Sequence, residues 1–202
     1  MPVATLNGVR PERVDLDAAL VDDLLDQVQA YHFPYSLQLR TRADPALTAM
    51  ATARGMPLQA TTPLMLLEDP SALRPAQEVD ALVVRELAPE EASAHARIMA
   101  LGFGGPETIF AQMLTPSVLA LPGLSCYLGE VGGEPVTTSL GVTVGSSTGV
   151  FNVATAPEHR GHGYGAALTA RAVSDGFAEG AEWAWLQSSA SGYSLYPNFR
   201  RS

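Results

Sequence analysis

The sequence predicts an α/β fold in which a mixed, largely antiparallel sheet is flanked by helices. Three short apolar segments follow one another closely and are typical of strands: residues 125–131, 135–144 and 149–156. Glycine-bounded turns, Gly132-Gly133 and residues 145–149, join these segments, and short glycine turns favour antiparallel hairpins. A glycine-rich turn at residues 161–165 then leads into a helical pattern and a further apolar segment. A helix therefore connects the last of the three strands to a fourth strand of the sheet.

Apolar spacing and helix breakers place the other elements of the second half of the chain. The predicted order is a strand at 81–87, helices at 89–102 and 106–114, a helix at 163–179, a strand at 183–189 and a short helix at about 191–199. Gly180 ends the long helix, because glycine favours the helix C-terminus. Trp183 and Trp185 alternate on the last strand and are predicted to lie on one packed face.

The first part of the chain reads as a separate α/β extension. Its predicted elements are a helix at 16–30, a strand at 34–42, a helix from Pro45 to near Gly55 and a strand at 62–68. Residues 68–78 carry two prolines and mixed charge, which is typical of a linker. We therefore expect an extension over residues 1–78, which is a partial copy of the same kind of domain, and a main domain over residues 79–202.

Composition excludes several classes of protein. The 202 residues are 47% hydrophobic and carry a net charge of −9, and all 12 basic residues are arginine. The acidic balance argues against nucleic acid and anionic membranes as partners. The absence of lysine excludes a Walker-type phosphate loop, and the single cysteine, Cys126, excludes a cysteine-rich zinc site. No 18-residue apolar stretch or signal-peptide pattern is present, so we expect a cytoplasmic protein.

The segment from residue 150 to 170 carries the clearest chemical signal. A strand runs into a turn that contains Gly161, Gly163 and Gly165, and this turn opens a helix. Glycines allow successive backbone N–H groups to face one concavity, and the helix N-terminus adds partial positive charge, so the turn suits a diphosphate. Gly161, Gly163 and Ala166 satisfy a dinucleotide fingerprint, but the long parallel sheet of that fold is not predicted here. Coenzyme A is the alternative that the context favours.

Residues 160–165, which read RGHGYG, match the R/Q-x-x-G-x-G/A signature of the GCN5-related N-acetyltransferases, the GNAT family. The predicted order of strands and helices around them also matches. The sequence therefore resembles this family over about residues 80–202, and its closing segment resembles actinobacterial-type members with an N-terminal extension. The resemblance implies the GNAT fold.

The resemblance also implies roles for individual residues. Val153, Ala154 and Thr155 would pair through their backbone with pantetheine, and Ser189 would lie beside it. Tyr196 would protonate the departing thiolate. Backbone N–H groups would bind the pyrophosphate along one continuous segment: Arg160, Gly161, His162, Gly163, Tyr164, Gly165 and Ala166.

The function that the resemblance implies is transfer of an acetyl group from acetyl-CoA to an amine of a small molecule, without a metal and in a possible homodimer. Two alternatives stay open: a non-catalytic module that binds coenzyme A, and a dinucleotide oxidoreductase. Four apolar residues around the predicted helices before the first hairpin would line the acceptor site in the family, but their spacing is equally that of a core face: Phe103, Ile109, Phe110 and Met113.

The chain departs from the family after Tyr196, where only six residues remain and the usual closing strands are missing. Residues 17–67 show the helix and strand order that those missing elements would have. An uncovered sheet edge favours aggregation. We therefore expect a strand from residues 34–42 or 62–68 to extend the sheet, within one chain or across a dimer.

Overall fold

A computed structural model describes residues 4, 7–13, 16–40, 45–73, 79, 81–189, 192, 196 and 199–201. The chain divides into two compact units, Met1–Ala60 and Thr61–Ser202. Residues 61–73, which the sequence analysis assigned to the extension, therefore belong to the second unit. Each unit is described below by itself.

The first unit is a small two-helix structure. Helices α1 (Ala18–Gln29) and α2 (Pro45–Ala53) enclose a core of Val21, Leu25 and Leu47. Strand β1 (Gly8–Val9) pairs in parallel with β2 (Ser36–Leu37). The predicted strand at 34–42 is thus only two residues long in the described region and pairs inside this unit.

The second unit is built on a seven-stranded sheet. Its strands are β3 (Leu64–Leu67), β4 (Leu82–Glu86), β5 (Leu124–Val131), β6 (Glu134–Val144), β7 (Ser147–Thr155), β8 (Trp183–Gln187) and β9 (Arg200–Arg201). Their order in the sheet is β4-β5-β6-β7-β8-β3-β9. Only the β7–β8 pair is parallel among these neighbours. The predicted mixed, mostly antiparallel sheet is confirmed.

Two tight hairpins form the centre of the sheet. Gly132 and Gly133 join β5 to β6 with φ values of 61° and 85°, a conformation that glycine adopts without steric cost. Gly145 and Ser146 join β6 to β7, so the predicted five-residue turn at 145–149 has only two residues. Thr148 instead lies in β7, where its side chain is buried against Gly176 of the long helix. The contact is so close that a β-carbon on Gly176 would collide with the Thr148 side chain. Tertiary packing thus extends the strand into a segment whose sequence favours a turn.

Helices cover the two faces of the sheet. On one face, α6 (Tyr164–Ala178) buries Leu168 and Val173 against strand residues that include Tyr127. The other face is covered by α3 (Ala92–Phe103), α4 (Glu107–Met113) and α5 (Pro116–Leu119). We call these the α6 face and the α3 face. A 3₁₀ turn at Pro89–Glu91 replaces the first turn of the predicted helix at 89–102, and α5 begins where the sequence predicted only a break.

Strand β3 extends the sheet beyond β8, as predicted for residues 62–68. It pairs antiparallel with β8, from Leu64 opposite Gln187 to Leu67 opposite Ala184. β9 then pairs with the free side of β3. The predicted short helix at 191–199 lies mostly outside the described residues, and positions 192, 196 and 199 are not helical. The sheet therefore continues past β8 without a strand from a second chain. The strand on that side of β8 is β3, which is distant from β8 in the sequence.

Candidate functional site

Strands β7 and β8 separate part-way along the sheet. Their parallel ladder runs from Ser147 opposite Trp183 to Val150 opposite Leu186 and ends there. β7 continues to Thr155 with only β6 as its described neighbour. Peptide groups of this extension that point away from β6 are available to an extended ligand, which can bind as an added strand does. The predicted pantetheine residues Val153, Ala154 and Thr155 all lie on it.

A β-bulge shapes this extension. The β6–β7 register shifts between Thr138 and Leu140, and Asn152 of β7 has a φ of 53°, which is rare for a non-glycine residue. Thr137 secures the end of the strand, since its hydroxyl donates to the Ala154 carbonyl (2.9 Å) and lies 2.9 Å from the Thr155 hydroxyl. Sequence analysis missed Asn152 and Thr137. Asparagine inside an apolar strand was the available signal for the bulge, because asparagine tolerates positive φ.

The predicted phosphate turn connects β7 to α6. Gly161 and Gly163 have φ values of 83° and 81°, and Gly163 occupies the N-cap of α6 without a side chain that caps the helix. A β-carbon on Gly161 would have no atom within 4 Å, and one on Gly163 would be 3.8 Å from Val79. The space beside both glycines is therefore open, and the positive end of a 15-residue helix lies at this turn.

The first turn of α6 packs close to β7. A β-carbon on Gly165 would lie 3.3 Å from the Val153 side chain, so glycine permits this approach. The structure thus brings the predicted pantetheine residues and the predicted phosphate turn together. Ala166 follows on the same helix turn and is half-buried.

Arg160 is engaged with main-chain carbonyls. Its Nη2 donates to the Gly102 carbonyl at the end of α3 (2.6 Å), and its Nε donates to the Thr155 carbonyl (3.3 Å). The guanidinium therefore joins the end of α3 to the end of β7. The backbone N–H of Arg160 donates to the Pro157 carbonyl (3.3 Å), so the prediction that this N–H binds the pyrophosphate is wrong for Arg160.

The aromatic side chains of the turn form a small stack. The His162 and Tyr164 rings lie 5.4 Å apart and nearly parallel, and Tyr164 is buried. His162 is exposed, and its Nδ1 lies 3.2 Å from the His159 carbonyl. These contacts pack His162 against the start of α6.

Tyr196, the predicted general acid, is partly buried against the core under α6. Its ring lies 6.1 Å from that of Phe199. Burial raises the pKa of Tyr196 above its ordinary value, and the Thr169 hydroxyl offsets part of this effect. Thr169 donates to the Gly165 carbonyl, so the Tyr196 hydroxyl lies beside the helix turn that follows the phosphate turn. Tyr193, the other tyrosine considered, lies outside the described residues.

Ser189 lies just beyond the end of β8. Its hydroxyl oxygen accepts a hydrogen bond from the Gly192 backbone N–H (3.1 Å). The preceding Ser188 is buried and donates to the Ser189 carbonyl (2.8 Å). Ser189 is thus positioned on the β8 side of the point where the two strands separate.

Comparison with known sequences matches the glycine turn and its surroundings to one family. The sequence model of the Acetyltransferase (GNAT) family matches residues 99–196, which include α6, the phosphate turn and Tyr196. This match covers just under half of the chain and supports an acyltransferase domain of the GNAT type, which we call the GNAT domain. The mostly antiparallel sheet excludes the dinucleotide oxidoreductase alternative. No curated protein matches the chain.

Solved structures share the GNAT fold of this chain. A GCN5-related N-acetyltransferase from Kribbella flavida is 24% identical with a TM-score of 0.73, over 100% of this chain and 80% of that one. A conserved protein of unknown function from Staphylococcus epidermidis is 10% identical with a TM-score of 0.65, over 94% and 79%. An aminoglycoside acetyltransferase from an uncultured soil sample is 20% identical with a TM-score of 0.50, over 57% and 88%. At these identities the likeness concerns the fold.

Membrane-spanning helices and metal clusters are both absent from the described residues of the GNAT domain and its extension. None of the helices in the described ranges is long and apolar enough to cross a membrane. Within the same part of the chain, no group of three or more histidine, cysteine, aspartate or glutamate side chains is arranged to hold a metal ion.

Proposed function

We propose that the GNAT domain transfers an acetyl group from acetyl-CoA to an amine of a small molecule by direct attack in a ternary complex. The observation that carries the proposal is the separation of β7 from β8 directly before a glycine turn at a helix N-terminus. This arrangement offers an extended ligand a strand edge and a diphosphate a set of N–H groups, one after the other along the chain.

The residues present fit acetyl-CoA. Backbone atoms of Val153, Ala154 and Thr155 would bind the pantetheine, with Ser189 on the opposite side. Backbone N–H groups of residues 161–166 would bind the pyrophosphate, since the positive-φ glycines leave space beside them. No lysine is needed for this, because the N–H groups and the helix dipole supply the positive potential.

Bound acetyl-CoA would supply the acyl group as a thioester. In the transfer, the amine nitrogen forms a bond to the acyl carbon, the carbon–sulfur bond breaks, the nitrogen loses a proton and the sulfur gains one. Tyr196 would donate the proton to sulfur, since its raised pKa keeps the hydroxyl protonated at neutral pH. N–H groups of the β7 extension that point away from β6 are available to polarise the thioester carbonyl.

The non-catalytic alternative drew its support from the missing closing strands. β3 and β9 occupy positions beyond β8, so the sheet is extended where the sequence left it open. We therefore favour the catalytic function. Homodimer formation and a cytoplasmic location stay predictions.

Substitution of Gly163 tests the predicted site. We expect Gly163→Ala to weaken acetyl-CoA binding by about 5- to 150-fold, because the methyl group blocks the approach of a ligand to the turn and removes at least one buried hydrogen bond, worth about 1–3 kcal/mol. Calorimetric titration with acetyl-CoA measures the change in Kd. Release of free thiol on addition of amines measures turnover.

Gly180→Ala is the matched control for this experiment. Gly180 lies at the other end of α6 and has a φ of 103°, and a β-carbon on it would also have no atom within 4 Å. Both variants strain the backbone at an end of the same helix, but only Gly163→Ala changes the turn. Equal affinities of the two variants for acetyl-CoA would show that the turn does not bind it.

A further inference from the structure

Two aromatic side chains meet on the α3 face where β7 and β8 separate. Phe151 is the first residue of β7 beyond the parallel ladder, and Trp185 lies on β8 opposite Gly149. Their rings form an edge-to-face pair with centroids 5.1 Å apart at 86°. We call Phe151 and Trp185 the aromatic platform.

Gly149 makes this pair possible. A β-carbon on Gly149 would lie 2.7 Å from the Phe151 ring and 2.9 Å from the Trp185 indole, so the rings occupy the space that a side chain would take. The platform therefore lies directly on the backbone of β7. Both rings are half-buried, and Trp185 lies on the same face of β8 as Trp183, in keeping with their alternation in the sequence.

The strand residues around the platform are mostly apolar, with Gln187 as an exposed polar neighbour on the same face of β8. Leu66 of β3 lies opposite Trp185, and Leu64 is two residues away on the same face with 37% of its surface exposed. At the α3-face positions of the described strands β3, β7 and β8, neither aspartate nor glutamate occurs. Arg200 of β9 lies opposite Leu66 and is exposed. On these strands a cation would therefore meet aromatic rings and an arginine instead of carboxylates.

The platform is on the face of the sheet opposite the helix that follows the phosphate turn. The phosphate turn belongs to α6, which packs on the α6 face, so a donor held by that turn approaches the separation of the strands from that side. Phe151 packs with the cluster on the α3 face. An amine that reaches the separation from the α3 face passes the aromatic platform.

We propose that the aromatic platform is the acceptor subsite and that the acceptor is an amine attached to an apolar, aromatic group rather than a polycationic amine. This inference rests on the proposed function, since it assumes a thioester at the separation of β7 and β8. Aromatic groups pack edge-to-face or offset against Phe and Trp rings. Several closely spaced ammonium groups need carboxylates that the described strands of this face do not provide, and each would meet the field of Arg200.

The acceptor preference is measured with purified full-length protein at saturating acetyl-CoA. The probes are 2-phenylethylamine, spermidine and kanamycin, and released thiol reports turnover. We expect kcat/KM for 2-phenylethylamine to exceed that for spermidine and for kanamycin by at least about 10-fold, which corresponds to about 1.4 kcal/mol.

Substitutions of the two tryptophans of β8 test whether Trp185 binds the acceptor amine. We expect Trp185→Ala to lower kcat/KM for 2-phenylethylamine by about 10-fold or more, mainly through KM, with an unchanged Kd for acetyl-CoA. Trp183→Ala is the matched control, because Trp183 is on the same strand and face but lies at the opposite end of the ladder. Trp185→Leu, which keeps an apolar side chain, serves if the alanine variant does not fold.

The outcomes distinguish the two proposals. If the wild-type protein does not bind acetyl-CoA, the proposed function fails and this inference fails with it. If acetyl-CoA binds but spermidine or kanamycin is preferred, or no probe is acetylated, the acceptor proposal alone is overturned. Equal effects of the Trp185 and Trp183 substitutions would overturn it as well.

Discussion

His95 should make the second unit sensitive to acid. The side chain lies on α3 and is buried with 1% of its surface exposed. The Thr138 hydroxyl donates to the Tyr127 carbonyl (2.8 Å), so the contact of 2.7 Å between His95 Nδ1 and Thr138 assigns the proton to Nδ1. Nε2 is buried and has no hydrogen-bond partner among the described residues. Protonation of Nε2 would therefore place an unpaired charge in the core.

The loss of folding stability in acid follows from the shift in the pKa of His95. Burial lowers the pKa of His95 from 6.5 to about 4, while the unfolded chain keeps the ordinary value. A group with a lowered pKa contributes stability above its unfolded pKa and loses it as the pH falls towards the folded pKa. Between pH 6.5 and pH 4 the unfolded state binds the proton first, which costs the fold about 3 kcal/mol at 1.36 kcal/mol per pKa unit. That is a large part of the 5–15 kcal/mol typical of a domain.

Urea unfolding at pH 7 and pH 4 measures this loss. The two tryptophans of the chain, Trp183 and Trp185, are both in the second unit, so their fluorescence reports the unit that contains His95. His95→Asn keeps a donor near Thr138 and removes the titrating group. We expect the loss of unfolding free energy between the two pH values to be about 3 kcal/mol smaller in this variant. His159→Asn, in a half-buried turn of the same unit, should keep the wild-type loss.

Two results would refute the reasoning about His95. One is an equal loss of stability between pH 7 and pH 4 in wild-type protein and His95→Asn. The other applies if that variant does not fold: an NMR titration of labelled histidine in which a buried imidazole becomes protonated above pH 6 while the protein stays folded.

Two further predictions concern Tyr196 and the α6–sheet contact. Tyr196→Phe should lower kcat by about 10²–10⁴-fold, the range for general acid–base catalysis, with little change in the Kd for acetyl-CoA; a wild-type kcat with chemistry rate-limiting would assign the proton to another donor. Gly176→Ala should lower the free energy of unfolding by about 1–3 kcal/mol, since its β-carbon would lie 2.5–2.7 Å from Thr148 side-chain atoms. Gly141→Ala, whose β-carbon would lie 3.5 Å from Ala172, should lower the free energy of unfolding clearly less. Urea unfolding measures both variants, and equal losses of free energy would contradict the steric argument.

Local signals in the sequence were sufficient for the central hairpins and for the phosphate turn. Glycine pairs such as Gly132-Gly133 act over two residues, and a strand, turn and helix in succession define the segment around Gly163 without reference to the rest of the chain. The extent of the strands was less predictable. Thr148 belongs to β7 because α6 packs over it. Residues 145–149 by themselves do not indicate this packing.

The sequence by itself determined the α/β class, the glycine turn and the family signature, because each depends on neighbouring residues. Only the tertiary structure decided which strands lie beside β8 and where β7 leaves it, since strand pairing depends on backbone hydrogen bonds between distant segments. β3 is more than 100 residues from β8 in the chain, and its four residues LMLL suit many apolar environments equally. The aromatic platform likewise depends on the register of Trp185 with Gly149, because only that register places both rings over a residue without a side chain.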